Sequence, residues 1–197
     1  MRAWRRWVAG AALALGLSGT ASAGTVLGVV SERAAPEVAE AAAELARSRP
    51  SDRIVLRTPQ QLAELDSRGL RALLAGSDAV IAVAVFGEQG VRLRETTQAL
   101  RREQRGPAAL YAFHSETELA RGSYRGTDSL QVFSAAEIAA LTADAPTPPA
   151  LATRAEAQPF ARDWLALRAL WREGGQDNLR DALRWLLDGG AVPTPIA

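Results

Sequence analysis

The chain contains one histidine, His114, in the run Phe113-His114-Ser115-Glu116. Histidine is the side chain whose charge changes near neutral pH, so His114 with Glu116, or with Glu88 from Gly87-Glu88-Gln89, could serve as a general acid or base. Arg33, in Ser31-Glu32-Arg33, adds a planar guanidinium that suits a carboxylate or a phosphate. The plainer reading of His114 is a strand-end residue bonded to neighbouring backbone. Ser115 has no second histidine to activate it, which disfavours a serine-hydrolase triad. No G-x-G-x-x-G follows an early strand, since Gly28 lies inside one, and no P-loop or G-x-S-x-G elbow occurs. With no cysteine and one histidine, neither a disulfide, a thiolate metal site nor a histidine-rich metal cluster can be built. These residues assign no catalytic or metal-binding role.

Strands alternating with helices would position those residues. Thr25 to Val30 and Arg53 to Arg57 are short β-rich runs, and Asp78 to Phe86 is the nearly unbroken apolar run of a strand covered on both faces. Ala108 to Phe113 is a fourth strand, with Leu130 to Phe133 a fifth. Between them, Ser31 and Pro36 open an Ala/Glu helix running through Arg47. Thr58-Pro59-Gln60-Gln61 has capping-box spacing, and Gly69 marks a break in the helical region that follows. A charged helix runs from about Val91 to Arg105, and Ser134 with Glu137 opens another. The β-α-β-α order implies right-handed crossovers and a three-layer α/β fold around a parallel sheet, flavodoxin-like or half-Rossmann. Ligands in such sheets lie at the carboxyl ends of the strands. That edge would present Ser31-Glu32-Arg33, Gly87-Glu88-Gln89 and His114-Ser115-Glu116.

Residues 1–23 read as a signal peptide: Arg2, Arg5 and Arg6, a short apolar run from Val8 to Leu17, then Ala21-Ser22-Ala23. The run is shorter than the ~20 residues that span a bilayer, so cleavage after Ala23 leaves no transmembrane segment and a periplasmic or exported protein. Arg5-Arg6 keeps twin-arginine export open beside the general route. Loss of those three arginines leaves 20 basic against 22 acidic residues, net −2, which gives no basis for nucleic-acid binding. The α/β part then spans 24–142. A proline-rich linker follows over 143–159, a helical hairpin over 160–188, and a flexible tail with two glycines and two prolines over 189–197.

The hairpin is the most patterned stretch. Phe160, Trp164, Leu167 and Trp171 fall on one helical face, and Leu179, Ala182, Leu183 and Leu186 form a second stripe. Gly174-Gly175 ends the first helix, and Asp177 can cap the next. The segment Trp-Arg-Glu-Gly-Gly-Gln-Asp-Asn-Leu-Arg resembles the G-G-x-[DE]-N-[LM] motif near the end of the first domain of cobaltochelatase large subunits of the CobN type, relatives of the magnesium chelatase large subunit. The match falls on Gly174, Gly175, Asp177, Asn178 and Leu179. Ala72 to Phe86 is similar to a strand region of that family, with Gly87 at the matching turn. The resemblance covers most of 24–190, best at its end.

The resemblance implies an N-terminal module of such a subunit, truncated or stand-alone, in tetrapyrrole or corrinoid metal handling connected with cobalamin. It also implies cobalt or a tetrapyrrole as the group handled, and the remaining chelatase domains or subunits as partners. The family's metal and macrocycle contacts are expected in a region beyond this sequence, so the module would not insert metal alone. His114 could serve such a ligand as an axial base, and Trp164, Trp171 and Trp185 could stack on it; the same aromatics could instead fill the contact between helices and sheet. Arg92, Arg94, Arg101, Arg102 and Arg105, interleaved with Glu95 and Glu103, form a solvated face or meet carboxylates. An α/β interaction module without chemistry, and a hydrolase using His114, are the competing readings.

Overall fold

A computed structural model describes residues 24–142 and 146–196. The expected signal peptide over 1–23 lies outside the described residues. Four parallel strands form the centre of one sheet: β1 (Thr25–Val30), β2 (Arg53–Arg57), β3 (Ala79–Val83) and β4 (Ala109–Phe113), in the order β2-β1-β3-β4. Placing β1 between β2 and β3 makes the fold flavodoxin-like α/β rather than half-Rossmann. Side chains alternate across the pleat. Val26, Ile81, Val83, Tyr111 and Phe113 face one core, and Leu27, Val29, Val80, Ala82 and Leu110 the other.

Helices cover both faces. One face carries α2 (Pro59–Ala63), α3 (Ser67–Ala75) and α4 (Gly87–Arg102), which bury Leu62, Leu70, Leu74, Leu93 and Leu100 against it. The other carries α1 (Ala35–Ser48) with α8 (Pro159–Glu173) and α9 (Gln176–Asp188). The hairpin expected from spacing is therefore an integral layer. Glu44 accepts from Arg180 (2.9 Å) and Gln176 (3.1 Å), and Arg49 meets Asp188 (2.5 Å), so α1 and α9 run side by side in the same direction. Among the described residues no helix is long and apolar enough to cross a membrane.

Several expectations need correction. No strand forms over 130–133; instead β5 (Tyr124–Arg125) and β6 (Asp128–Ser129) make a small antiparallel hairpin at the β4 edge. The turn residue Gly126 (φ 58°) supplies the left-handed backbone the hairpin needs. Leu130 and Phe133 are both buried at a spacing of three, which does not place two residues on one face of a strand. Gly69 lies inside α3, and the break comes before it, where Asp66 accepts the Gly69 N–H (2.6 Å) and caps α3. The charged helix α4 starts at Gly87 rather than near Val91.

Within the expected linker, residues 149–156 form α7 (Pro149–Glu156), which buries Leu151 and Ala155. Proline suits a first helical turn, and good helix formers follow it. Two shorter helices, α5 (Thr117–Arg121) and α6 (Ala135–Thr142), complete the order. The tail is also tied down: the Trp185 indole donates to the Gly190 carbonyl (3.0 Å), and Asn178 pairs with the backbone of Ile196.

Candidate functional site

Strand order β2-β1-β3 reverses direction between β1 and β3, and the crossovers leave there on opposite sides, so a crevice opens at their carboxyl ends. It has a volume of about 530 Å³, within the range of small-molecule sites. Ser31, Arg33 and Glu37 come from the β1–α1 turn and α1. Ala84 and Phe86 follow β3, His114 follows β4, and Trp171 and Arg172 come from the last turn of α8. The floor is apolar, and the rim carries the guanidinium groups.

The strand ends are held in an unusual backbone. Ala84 (φ 56°) and His114 (φ 46°), at the ends of neighbouring strands, both adopt the left-handed region. For a residue with a Cβ this costs roughly 1–2 kcal/mol, and such outliers concentrate at ligand sites. Buried Ser115 locks the pair in place. Its hydroxyl donates to the Phe113 carbonyl (2.8 Å) and accepts the Val85 N–H (3.1 Å), which accounts for Ser115 as a structural group rather than a nucleophile. The turn leaves Phe86 57% exposed on the rim, one of two large apolar side chains so exposed among the described residues.

Of the four residues singled out from sequence, Arg33 and His114 share the crevice. Arg33 has no hydrogen bond or ion pair among the described residues. His114 Nδ1 donates to the Thr142 carbonyl (3.2 Å), which places a proton on Nδ1 because a carbonyl only accepts. Glu116 is not a crevice residue. Its Oε2 is buried beside α4 without a hydrogen-bond partner, and a Cβ at Gly90 would come within 2.9 Å of it. Glu88 is exposed in the first turn of α4, away from the crevice lining. A His114–carboxylate acid–base pair is therefore not assembled. Sequence reasoning missed Glu37, Phe86 and Arg172. Nothing local marks Arg172, which pairs with neighbouring Glu173 and reaches the crevice only because α8 packs over β4 and alongside α9.

The aromatic candidates separate. Trp164 and Trp185 are core residues. Trp164 packs on Phe113 with centroids 5.2 Å apart and donates to Ser123 (3.2 Å), and Trp185 packs edge-on to Tyr111 at 5.6 Å. Trp171 alone is half-buried at the crevice. In the motif, Gly174 (φ 65°) and Gly175 (φ 78°) form the turn, and Gly175 donates to Glu37 Oε1 (3.0 Å). Asp177 is not a cap: Gly175 occupies that position, and Asp177 pairs with Arg180 (2.6 Å) inside α9.

On α4, Arg92 donates to the Leu62 and Leu65 carbonyls at the end of α2, and Arg101 lies over the Tyr124 ring (4.2 Å), so both are structural. Among the described residues no group of three or more His, Cys, Asp or Glu side chains could hold a metal ion. The comparisons with known proteins return no matching family model and no matching curated protein.

Proposed function

We propose that this chain is a non-catalytic binding module whose switch-point crevice takes a planar, carboxylate-bearing ligand of the tetrapyrrole class. In this reading it is an exported counterpart of the N-terminal region of a cobaltochelatase-type large subunit, and the remaining chelatase domains or subunits are its partners. The observation that carries the reading is the chemistry of one crevice: two guanidinium groups, Arg33 and Arg172, beside the aromatic faces of Phe86 and Trp171. Guanidinium forks pair with carboxylates, and aromatic rings stack on a macrocycle. Lacking a cluster of protein ligands for a bare ion, the described residues suit cobalt carried inside a macrocycle better than cobalt alone.

The test is titration of the purified protein with haem, cobalamin and a metal-free corrinoid, followed by absorbance and tryptophan fluorescence. Haem, or a corrinoid that keeps acid side chains, should quench Trp171 saturably, and cobalamin, whose side chains are amides, should bind more weakly. Arg33→Ala and Arg172→Ala should each weaken binding about 10–100-fold, the loss of one charge-assisted contact. No binding by any of the three at tens of micromolar would remove the reading. The exposed Phe86 would then favour the alternative, an α/β interaction module without chemistry whose rim docks a partner domain.

A further inference from the structure

The residues after α9 return along that helix. Gly189 (φ 69°) and Gly190 (φ 91°) reverse the chain, Val192 packs on the core, and Ile196 reaches Asn178 at the start of α9. Asn178 is 4% exposed, and its amide makes three short bonds. Oδ1 accepts the Ile196 N–H (2.8 Å), while Nδ2 donates both to the Ile196 carbonyl (2.8 Å) and to the Gly174 carbonyl (2.8 Å). The side chain thus pairs with residue 196 as a neighbouring β-strand would, and with its second N–H it grips the turn between α8 and α9.

Backbone bonds at the helix ends hold part of that turn: the Gly174 N–H donates to the Leu170 carbonyl (3.2 Å), and the Gly175 carbonyl accepts the Leu179 N–H (3.1 Å). Gly174 and Gly175 both have positive φ, and a Cβ built on either would meet nothing within 4 Å. Its shape rests further on two side-chain ties: Asn178 to the Gly174 carbonyl, and the Gly175 N–H to Glu37. Trp171 and Arg172 immediately precede it, and Glu37 lines the same crevice. A continuous path of hydrogen bonds therefore runs from Ile196 through Asn178 and the glycine turn to the crevice wall.

We propose that residues 191–196 act as a strap, seated by the Asn178 amide, that sets the α8–α9 turn and through it the pose of Trp171 and Arg172. Its effect on ligand affinity rests on the crevice reading above; its effect on the turn does not. With the strap docked, the turn is closed and the crevice wall pre-organised. With it released, binding must order the wall and is weaker. By linkage, ligand in the crevice tightens the strap by the same factor.

The test uses Asn178→Ala, Asn178→Asp (which keeps acceptors but loses both donors) and a chain ending at Gly190, each compared with the intact protein. Amide exchange at Gly175 should speed up about tenfold or more in all three, the effect of losing one or two net hydrogen bonds. Exchange at Ile81 in β3 should stay protected, showing that the fold persists. Affinity for the tetrapyrrole among haem, cobalamin and the metal-free corrinoid that the intact protein binds should fall about 5–10-fold. Gly175 exchange within twofold of the intact protein would overturn the strap. Faster exchange with unchanged affinity would overturn its link to the crevice. If the intact protein binds none of haem, cobalamin and the metal-free corrinoid, the crevice reading fails, and the exchange result alone decides whether the strap sets the turn. Should Asn178→Ala unfold, the chain ending at Gly190 makes the same comparison.

Discussion

At the scale of single residues, the most constrained chemistry lies under α8, away from the crevice. Asp163 is buried and takes Arg125 (2.9 Å) and Arg162 (3.3 Å), while the Tyr111 hydroxyl beside them is buried without a hydrogen bond of good geometry. Burial pushes the Tyr111 phenol up to about 12 from 10.0, with the Arg125 charge opposing and Asp163 reinforcing the rise. A raised folded value means that the folded state holds its proton longer. The contribution to stability is complete below pH 10 and is lost as pH rises towards 12. Tyr111→Phe should leave neutral stability within about 1 kcal/mol, since it also removes an unpaired buried hydroxyl. It should also flatten the fall in urea midpoint between pH 10 and 12. Tyr124, raised chiefly by burial, accounts for what remains. An unchanged alkaline slope would mean that Tyr111 ionises as freely in the folded protein as in the unfolded one.

At the scale of elements, the capping boxes read from spacing both form. Thr58 accepts the Gln61 N–H (3.3 Å) and Gln61 returns a bond to Thr58 N–H (3.1 Å); Ser134 and Glu137 do the same for α6. The Ser134 backbone N–H, with Arg154 and the Ser134 hydroxyl, holds the Glu137 carboxyl down to about 2 from 4.5. A depressed folded value contributes stability that is full above pH 4.5 and fades as pH falls towards 2. Glu137→Gln should therefore lower the melting temperature at pH 6 and converge on the wild type near pH 2 in thermal scans. A constant difference across that range would rule out the carboxylate as the cause. The misread elements share a cause: local signals do not report what covers a segment. Proline density over 143–159 suggested an exposed linker, yet Leu151 and Ala155 find a core, and that burial fixes α7. Asp177 had the chemistry of a cap, but the glycine turn shifted the helix start.

At the scale of the molecule, α8 and α9 supply most of a layer whose remainder is α1, and without them one face of the sheet lies partly open. Phe160, Trp164, Leu167, Leu170, Leu183 and Trp185 are all buried there. At roughly 1.5–3 kcal/mol for each large side chain, their removal is comparable with the whole ~5–15 kcal/mol stability of a domain. A chain ending at Gln158 should lose cooperative urea unfolding and bind a hydrophobic dye, as a compact state without fixed packing does. A sharp, native-like transition would show that the α/β part stands alone. The crevice would go with the layer, because Trp171 and Arg172 leave with it.

The alternation of apolar strands and amphipathic helices was readable in the sequence because period 2 and period 3.6 are local properties of the chain. So were the first two strands to the residue, both capping boxes, the glycine turn, and the place of Arg33 and His114 at strand ends. The order β2-β1-β3-β4, the antiparallel edge hairpin and the seating of the helix pair on the sheet were settled only by packing. So was the crevice: Arg172 becomes a neighbour of Arg33 and His114 through burial of the opposite face of α8, and Glu116 leaves the site because its carboxylate turns towards Gly90. Spacing along a chain says which face a side chain shares with its own element, and only the burial of that face decides which distant residues it meets.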